Sequence, residues 1–203
     1  MAFGIDYYSR VPISKLNEFK SNGVSFICRY YCPEGYSSKL MTKDEAQEIS
    51  DAGIDIVPIY EAGGYESSHF TYSNGYNDCM EAINRAEIIG QPYNSAIYFA
   101  VDTDMRNNLN AVYDYFHGVS DAMIEYRQRN GEKWYTGIYG GYDVIEYMDN
   151  KWGVTHLWQA KGWEYGQGIY SQANIHQYEI DVPFCNVNVD KNNSYSSIGS
   201  FTI

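Results

Sequence analysis

The sequence predicts a compact α/β protein of the TIM-like (β/α)8 barrel class, with its late helices shortened or missing. Three observations predict it. Eight β-like runs recur along 203 residues, helical patterns separate the early ones, and carboxylates mark the ends of several runs. Strand–helix alternation implies parallel pairing through right-handed crossovers, and eight such units suggest a closed barrel. The usual barrel has about 250 residues, so this chain must economise on its later connections. An open doubly wound sheet is the competing architecture. It is disfavoured because no G-x-G-x-x-G follows the first run. One barrel domain is expected over residues 1–203.

Residues 3–6 form a short apolar run that ends in Asp6. Residues 12–22 then read as a helix, with Ile13, Leu16 and Phe19 on one face and Gly23 as the stop. The run SFICRYY is strand-like. Thr42 and Glu45 form a capping-box pattern for the next helix, which Gly53 ends. DIVPIYE is the third strand, although its Pro58 is awkward for a central position. Residues 63–73 read as a loop and 76–89 as a helix closed by Gly90. AIYFAVD is almost continuously apolar, as a strand covered on both faces should be. A long amphipathic helix is expected over 109–129, a strand in KWYTGIYG and a helix over 142–151. HLWQAKG, NIHQYEI and VNVD supply the last three strands; the connections between them are too short or too rich in Gly and Ser for good helices.

Composition excludes several functions. The formal net charge of -12 opposes binding to nucleic-acid phosphates. No stretch reaches the ~18 apolar residues of a membrane span, and the N-terminus has no charged and apolar regions of a secretory signal. Action outside a cell would then require phage-type release, non-classical export or a larger parent polypeptide. The four cysteines lack zinc-type spacing, and no metal or cofactor is expected. There is no G-x-S-x-G nucleophile elbow and no phosphate-binding Gly-Lys loop.

The chemistry points instead to carboxylates. Asp6, Glu61, Asp102 and Asp190 each end a strand-like run, and Asp104 follows two residues after Asp102, on the same side of an extended segment. Strands are poor in carboxylates, so the recurrence is informative, and barrel enzymes keep their reactive groups at the strand C-termini. Paired carboxylates suit glycosidic bond cleavage: one donates a proton, the other stays ionised. The 22 tyrosines and 4 tryptophans offer stacking surfaces for sugar rings. Tyr30, Tyr31, Tyr60, Tyr98, Tyr139 and Trp158 are candidate walls, although alternation must turn several towards the helices. Gln159 and Gln177 could bond sugar hydroxyls. An inward Arg29 could pair with Asp6 or Glu61, and an outward one would not.

The segments GIDYYS, FICRYY, LMTKDEAQEISDAGIDIVPIYE, AIYFAVDTD, TGIYGGYDVIE, HLWQAKGW, IHQY and VNVDKN together resemble the glycoside-hydrolase-like family known as domain of unknown function 1906. That family is related more distantly to the family 25 glycoside hydrolases, the lysozymes of peptidoglycan. The resemblance implies a TIM-like barrel acting on, or binding, cell-wall glycan strands as an endolysin does. It implies that Asp6, Asp102 and Asp190 match acids of the lysozymes, and that Gln177-Tyr178 matches their Gln-Tyr. In their Asp-x-Glu motif the Glu is the proton donor. Here Asp104 takes its place and is one methylene shorter, so Glu61 is the alternative acid. A non-catalytic glycan-binding module on the same barrel is the alternative function.

Overall fold

In a computed structural model, which describes residues 1–36 and 38–203, the chain forms a closed barrel in the strand order β1 to β8. The strands are β1 (Ala2–Asp6), β2 (Phe26–Tyr31), β3 (Asp55–Tyr60), β4 (Ala96–Val101), β5 (Tyr135–Gly140), β6 (Val154–Gln159), β7 (Ile175–Phe184) and β8 (Val187–Ser194). The helices are α1 (Ile13–Ser21), α2 (Lys43–Asp51), α3 (Tyr72–Ile89), α4 (Leu109–Asn130) and α5 (Tyr142–Met148). After β6 there is only a 3-10 turn, Lys161–Trp163, and β7 turns directly into β8. The barrel is therefore shortened where its late connections are shortest.

The expected all-parallel pairing holds for β1 to β7 and fails at β8, which runs antiparallel to both β7 and β1. The cause is local. Cys185 and Asn186 both have positive φ (52° and 59°), the backbone of a tight hairpin turn. A two-residue link cannot carry a parallel crossover. Asp190 consequently does not end its strand, since β8 continues to Ser194. It still lies at the mouth because β8 enters from that end; it is the register partner of Asp6.

Alternation along each strand sorts the side chains into two cores. Phe26, Cys28, Val57, Ile59, Ala96, Tyr98, Ala100, Trp158 and Ile175 fill the barrel, with Tyr30 and Tyr139 packed against them. Ile27, Tyr31, Ile56, Tyr60, Ile97 and Phe99 face the helices. Pro58 is tolerated because β3 pairs with β4 only through Ile59 and Tyr60, so the missing N–H removes no bond on that side. Thr42 caps α2 as expected, accepting the Glu45 N–H at 3.2 Å. The Glu45 carboxylate does not return to Thr42 as in a full capping box but pairs with Arg29. Helix α3 begins four residues before its expected start, because Thr71 caps it by accepting the Asn74 N–H. The C-terminal segment closes the barrel floor. Ile198 enters the inner core, its carbonyl accepts the Tyr98 hydroxyl at 3.1 Å, and Phe201 bridges to Ile56. Gly199 permits this at φ +64°, where an added Cβ would lie 2.4 Å from Ala96 Cβ.

Candidate active site at the barrel mouth

The strand ends bring Asp6, Asp102, Asp190 and Glu61 into one field. The buried phenol of Tyr30 is pushed up by desolvation and then by the charges of Asp6, Glu61 and Asp190. Desolvation likewise raises Tyr139, with Asp102, Asp6 and Asp190 adding to it. Two inward-facing tyrosines thus sense four carboxyls, three at the ends of β1, β3 and β4 and one, Asp190, within β8.

Asp6 and Asp190 are the most tightly associated. Asp6 is 4 % exposed. Its Oδ2 accepts the Asn192 amide at 2.7 Å and the Gln177 amide at 3.3 Å, and Gln177 Nε2 also donates to Asp190 Oδ2 at 2.9 Å. The orientation of Gln177 is set from behind, because its Oε1 accepts the Tyr139 hydroxyl at 3.1 Å and the Lys161 N–H at 3.3 Å. Burial, and next the charge of Asp190, outweigh these amide donors and push the Asp6 carboxyl up to about 8. Asp190 is raised too, by burial and then by Asp181 and Asp102, against the opposing Asp181 N–H. Asp6 therefore holds a proton at neutral pH beside a second carboxyl whose own pKa is raised. Beside it lies a hollow of about 220 Å³, lined by Asp6, Tyr8, Tyr30, Asp181, Asn188 and Asp190 among others. Typical ligand pockets hold about 300–1,000 Å³, so this one has room for little more than one ring.

The other carboxylates have different partners. Asp102 Oδ1 accepts the Trp163 indole N–H at 2.9 Å. Glu61 is ion-paired with Lys39 at 2.6 Å, and the Lys39 ammonium sits 4.1 Å from the Tyr30 ring centroid. Asp104 is turned away to the exposed rim. Arg106 clamps it through Nε at 3.0 Å and Nη2 at 2.8 Å, and the guanidinium holds this carboxyl well below the usual range. An acid so held is ionised at neutral pH and has no proton to donate.

Several candidate sugar contacts lie elsewhere. Arg29 points outward from β2 and is fully buried. It pairs with Glu45 at 2.7 Å and donates to the carbonyls of Tyr7, Tyr8 and Lys39, not to Asp6 or Glu61. Tyr31 and Tyr60 lie in the core between barrel and helices, where Tyr31 donates to Gln91 Oε1. Tyr98 is inside the barrel and bonded to its floor. Trp158 is buried beneath the mouth and donates to Asn192 Oδ1, so it supports the amide that holds Asp6. Gln159 serves the backbone, donating to the Gly168 carbonyl and accepting the Tyr170 N–H. Of the expected contacts, Tyr30, Tyr139 and Gln177 reach the carboxyl cluster.

Sequence reasoning missed Asn192, Asp181, Lys39, Tyr8 and Trp163. Asn192 carried a signal, since it lies two residues from Asp190 in an extended run and so shares its face. The other four sit in loops or past strand bends, where periodicity carries no information. Among the described residues no group of His, Cys, Asp and Glu is arranged to hold a metal ion.

A closed barrel with carboxyls converging at its strand-end mouth defines the class of glycoside-hydrolase-like barrels. The chain belongs to the Rv2525c-like, glycoside hydrolase-like domain family, whose model matches residues 17–194. It is 33% identical over 132 residues to the uncharacterized protein YbfG of Bacillus subtilis, covering 63% of this chain but only 17% of YbfG. The Mycobacterium tuberculosis Tat-secreted protein Rv2525c, solved in complex with L-tartrate, superposes with a TM-score of 0.81 at 22% identity, covering 98% of both chains. A family 25 glycosyl hydrolase from Bacillus anthracis superposes with a TM-score of 0.61 at 10% identity, covering 97% of this chain and 90% of that one. At such identities these two likenesses show the fold.

Proposed function

We propose that this domain is a glycosidase that cleaves a β-linked amino-sugar polymer, bacterial cell-wall peptidoglycan, at the barrel mouth. One observation carries the reading: Gln177 ties the buried Asp6 carboxyl, pushed up to about 8, to Asp190 at the mouth, with Asp102 in the same small field. That is the division of labour glycoside hydrolysis needs. The proton on Asp6 passes to the departing glycosidic oxygen as its bond to the anomeric carbon breaks. Asp102, oriented by Trp163, stabilises the positive charge that develops on the sugar or activates the water that attacks it. The water supplies hydroxide to the anomeric carbon, and its remaining proton restores Asp6. Tyr30 and Tyr139 line the mouth as ring surfaces. The assignment moves the proton donor from the fourth strand, where Asp104 is held ionised by Arg106, to the β1–β8 pair. The place of action is the bacterial wall. No helix among the described residues is long and apolar enough to cross a membrane.

The test is release of reducing sugar from purified cell walls by the wild type, Asp102→Asn and Asp190→Asn. Release by the wild type alone supports the reading; equal background from all three contradicts it.

A second reading is a non-catalytic glycan-binding module. The ion pairs Asp104–Arg106 and Glu61–Lys39 favour it, because each neutralises a carboxylate that sequence comparison would make the acid. Wall binding that is retained in Asp102→Asn, without solubilisation by either protein, would establish it.

A further inference from the structure

The segment after β6 does more than connect it to β7. From Ala160 it crosses the end of β5 and reaches the loop that follows β4. Three contacts mark the path. Trp163 lies against Gly141, where an added Cβ would come within 2.6 Å of Trp163 Cβ and 2.8 Å of its carbonyl oxygen. The Trp163 indole then bonds Asp102 at 2.9 Å. One step further, the Arg106 guanidinium lies 3.3 Å from the Tyr165 ring centroid, itself clamped by Asp104. The segment is also tied down midway, where Glu164 accepts from Lys161 at 2.8 Å and pairs with His176, and beyond Tyr165, where Gln167 Nε2 donates to Asp143 at 3.0 Å. Residues 160–167 therefore form a strap over the β4–β6 side of the mouth.

The β2–β3 side is spanned as well, by Lys39 reaching across to Glu61 with its ammonium 4.1 Å from the Tyr30 ring centroid and 5.8 Å from that of Tyr8. The hollow beside Asp6 and Asp190 lies on the remaining side, lined by residues of β1, β2, β7 and β8 and the loop after β1, and by none of residues 160–167. An interior sugar of a polymer needs a path for the chain on both sides of the reacting carboxyls. A terminal sugar needs a path on one side only.

We propose that the strap makes the mouth a one-ended pocket, so that the site takes the terminal sugar of a glycan chain and not an interior one. This inference rests on the proposed glycan-processing function. The hollow of about 220 Å³ matches a single ring seated against β8 and β1. In this arrangement Asp104 and Arg106 are strap anchors, and Tyr165 sets specificity by keeping the strap closed.

The experiment measures binding by NMR titration of the wild type. The probes are a peptide-free tetrasaccharide of alternating N-acetylglucosamine and N-acetylmuramic acid, and the same molecule with bulky groups on both termini. The proposal expects the blocked probe to bind at least about tenfold more weakly. It also expects the Arg106→Ala/Tyr165→Ala variant, whose anchor is cut without touching the inner carboxyls, to recover the blocked probe. Equal binding of both probes to the wild type overturns the one-ended pocket and leaves glycan recognition standing. Binding of neither probe overturns both. The wild-type comparison stands even if the variant does not fold.

Discussion

Asp6 and Asp190 are register partners across β1 and β8, and a single nitrogen of Gln177 bonds a carboxyl oxygen of each. The antiparallel entry of β8 creates this pairing, because it brings the early half of the last strand back to the mouth. The raised carboxyl gives stability a definite pH dependence. Asp6 titrates at about 8 in the folded protein and near its ordinary 3.8 when unfolded. Between those values the folded state holds a proton that the unfolded state has released, so stability declines as pH rises through this window. Asp6→Asn mimics the protonated form. Its melting temperature should fall close to that of the wild type at pH 4 and lie above it at pH 9, by at least about 2–4 °C for each kcal/mol relieved. Calorimetry of both proteins at the two pH values checks this, and an identical pH profile would refute it.

The buried pair of Arg29 and Glu45 makes a second prediction. Both side chains are essentially inaccessible, and Arg29 also satisfies three backbone carbonyls. Arg29→Met leaves Glu45 buried and unpaired, which should cost about 3–5 kcal/mol. Arg29→Met/Glu45→Leu should recover only part of that loss, since it removes the unpaired charge but still leaves the carbonyls of Tyr7, Tyr8 and Lys39 without their donor. Chemical denaturation of the single and double variants measures the difference.

Asp102 and Asp104 are neighbours in sequence with different surroundings, and the account assigns them different weights. Asp102→Asn should lower sugar release from walls by about 10²–10⁴-fold, the usual value of a positioned acid–base group. Asp104→Asn should change it less than about threefold, because Asp104 faces the rim and Arg106. Assaying both variants on the same wall preparation decides the matter.

Gly141→Ala tests the strap. The new methyl would meet Trp163 backbone and Cβ atoms, which cannot swing aside as a side-chain tip can. The strap should lift and the Trp163–Asp102 hydrogen bond should break, at a stability cost of about 1–3 kcal/mol. The Trp163 indole N–H resonance, assigned with Trp163→Phe, should move upfield and exchange faster with solvent.

The barrel was legible in the sequence because its signals are periodic. AIYFAVD reads as a strand covered on both faces, and residues 109–129 carry a helix stripe that the structure extends by one residue. What alternation could not settle was direction and phase. Nothing in VNVD distinguishes a strand that ends at Asp190 from one that enters there, since that depends on the two left-handed residues Cys185 and Asn186. Arg29, Tyr31 and Tyr60 read as mouth residues while their phase was open; the β2 and β3 registers turn all three to the helices. The partners that give each carboxyl its character come from loops. Lys39 and Trp163 reach Glu61 and Asp102 through tertiary contact, which no spacing rule encodes, whereas Arg106 holds Asp104 from two residues away.

The most direct test of the account is a carboxyl ¹³C NMR titration of the wild-type protein, with Asp6→Asn and Asp190→Asn used to assign the two resonances. The account predicts that one step of the coupled pair occurs near pH 8 and that removing either partner lowers the other's midpoint. Two independent titrations, both near the ordinary carboxyl value of 3.8, would contradict it.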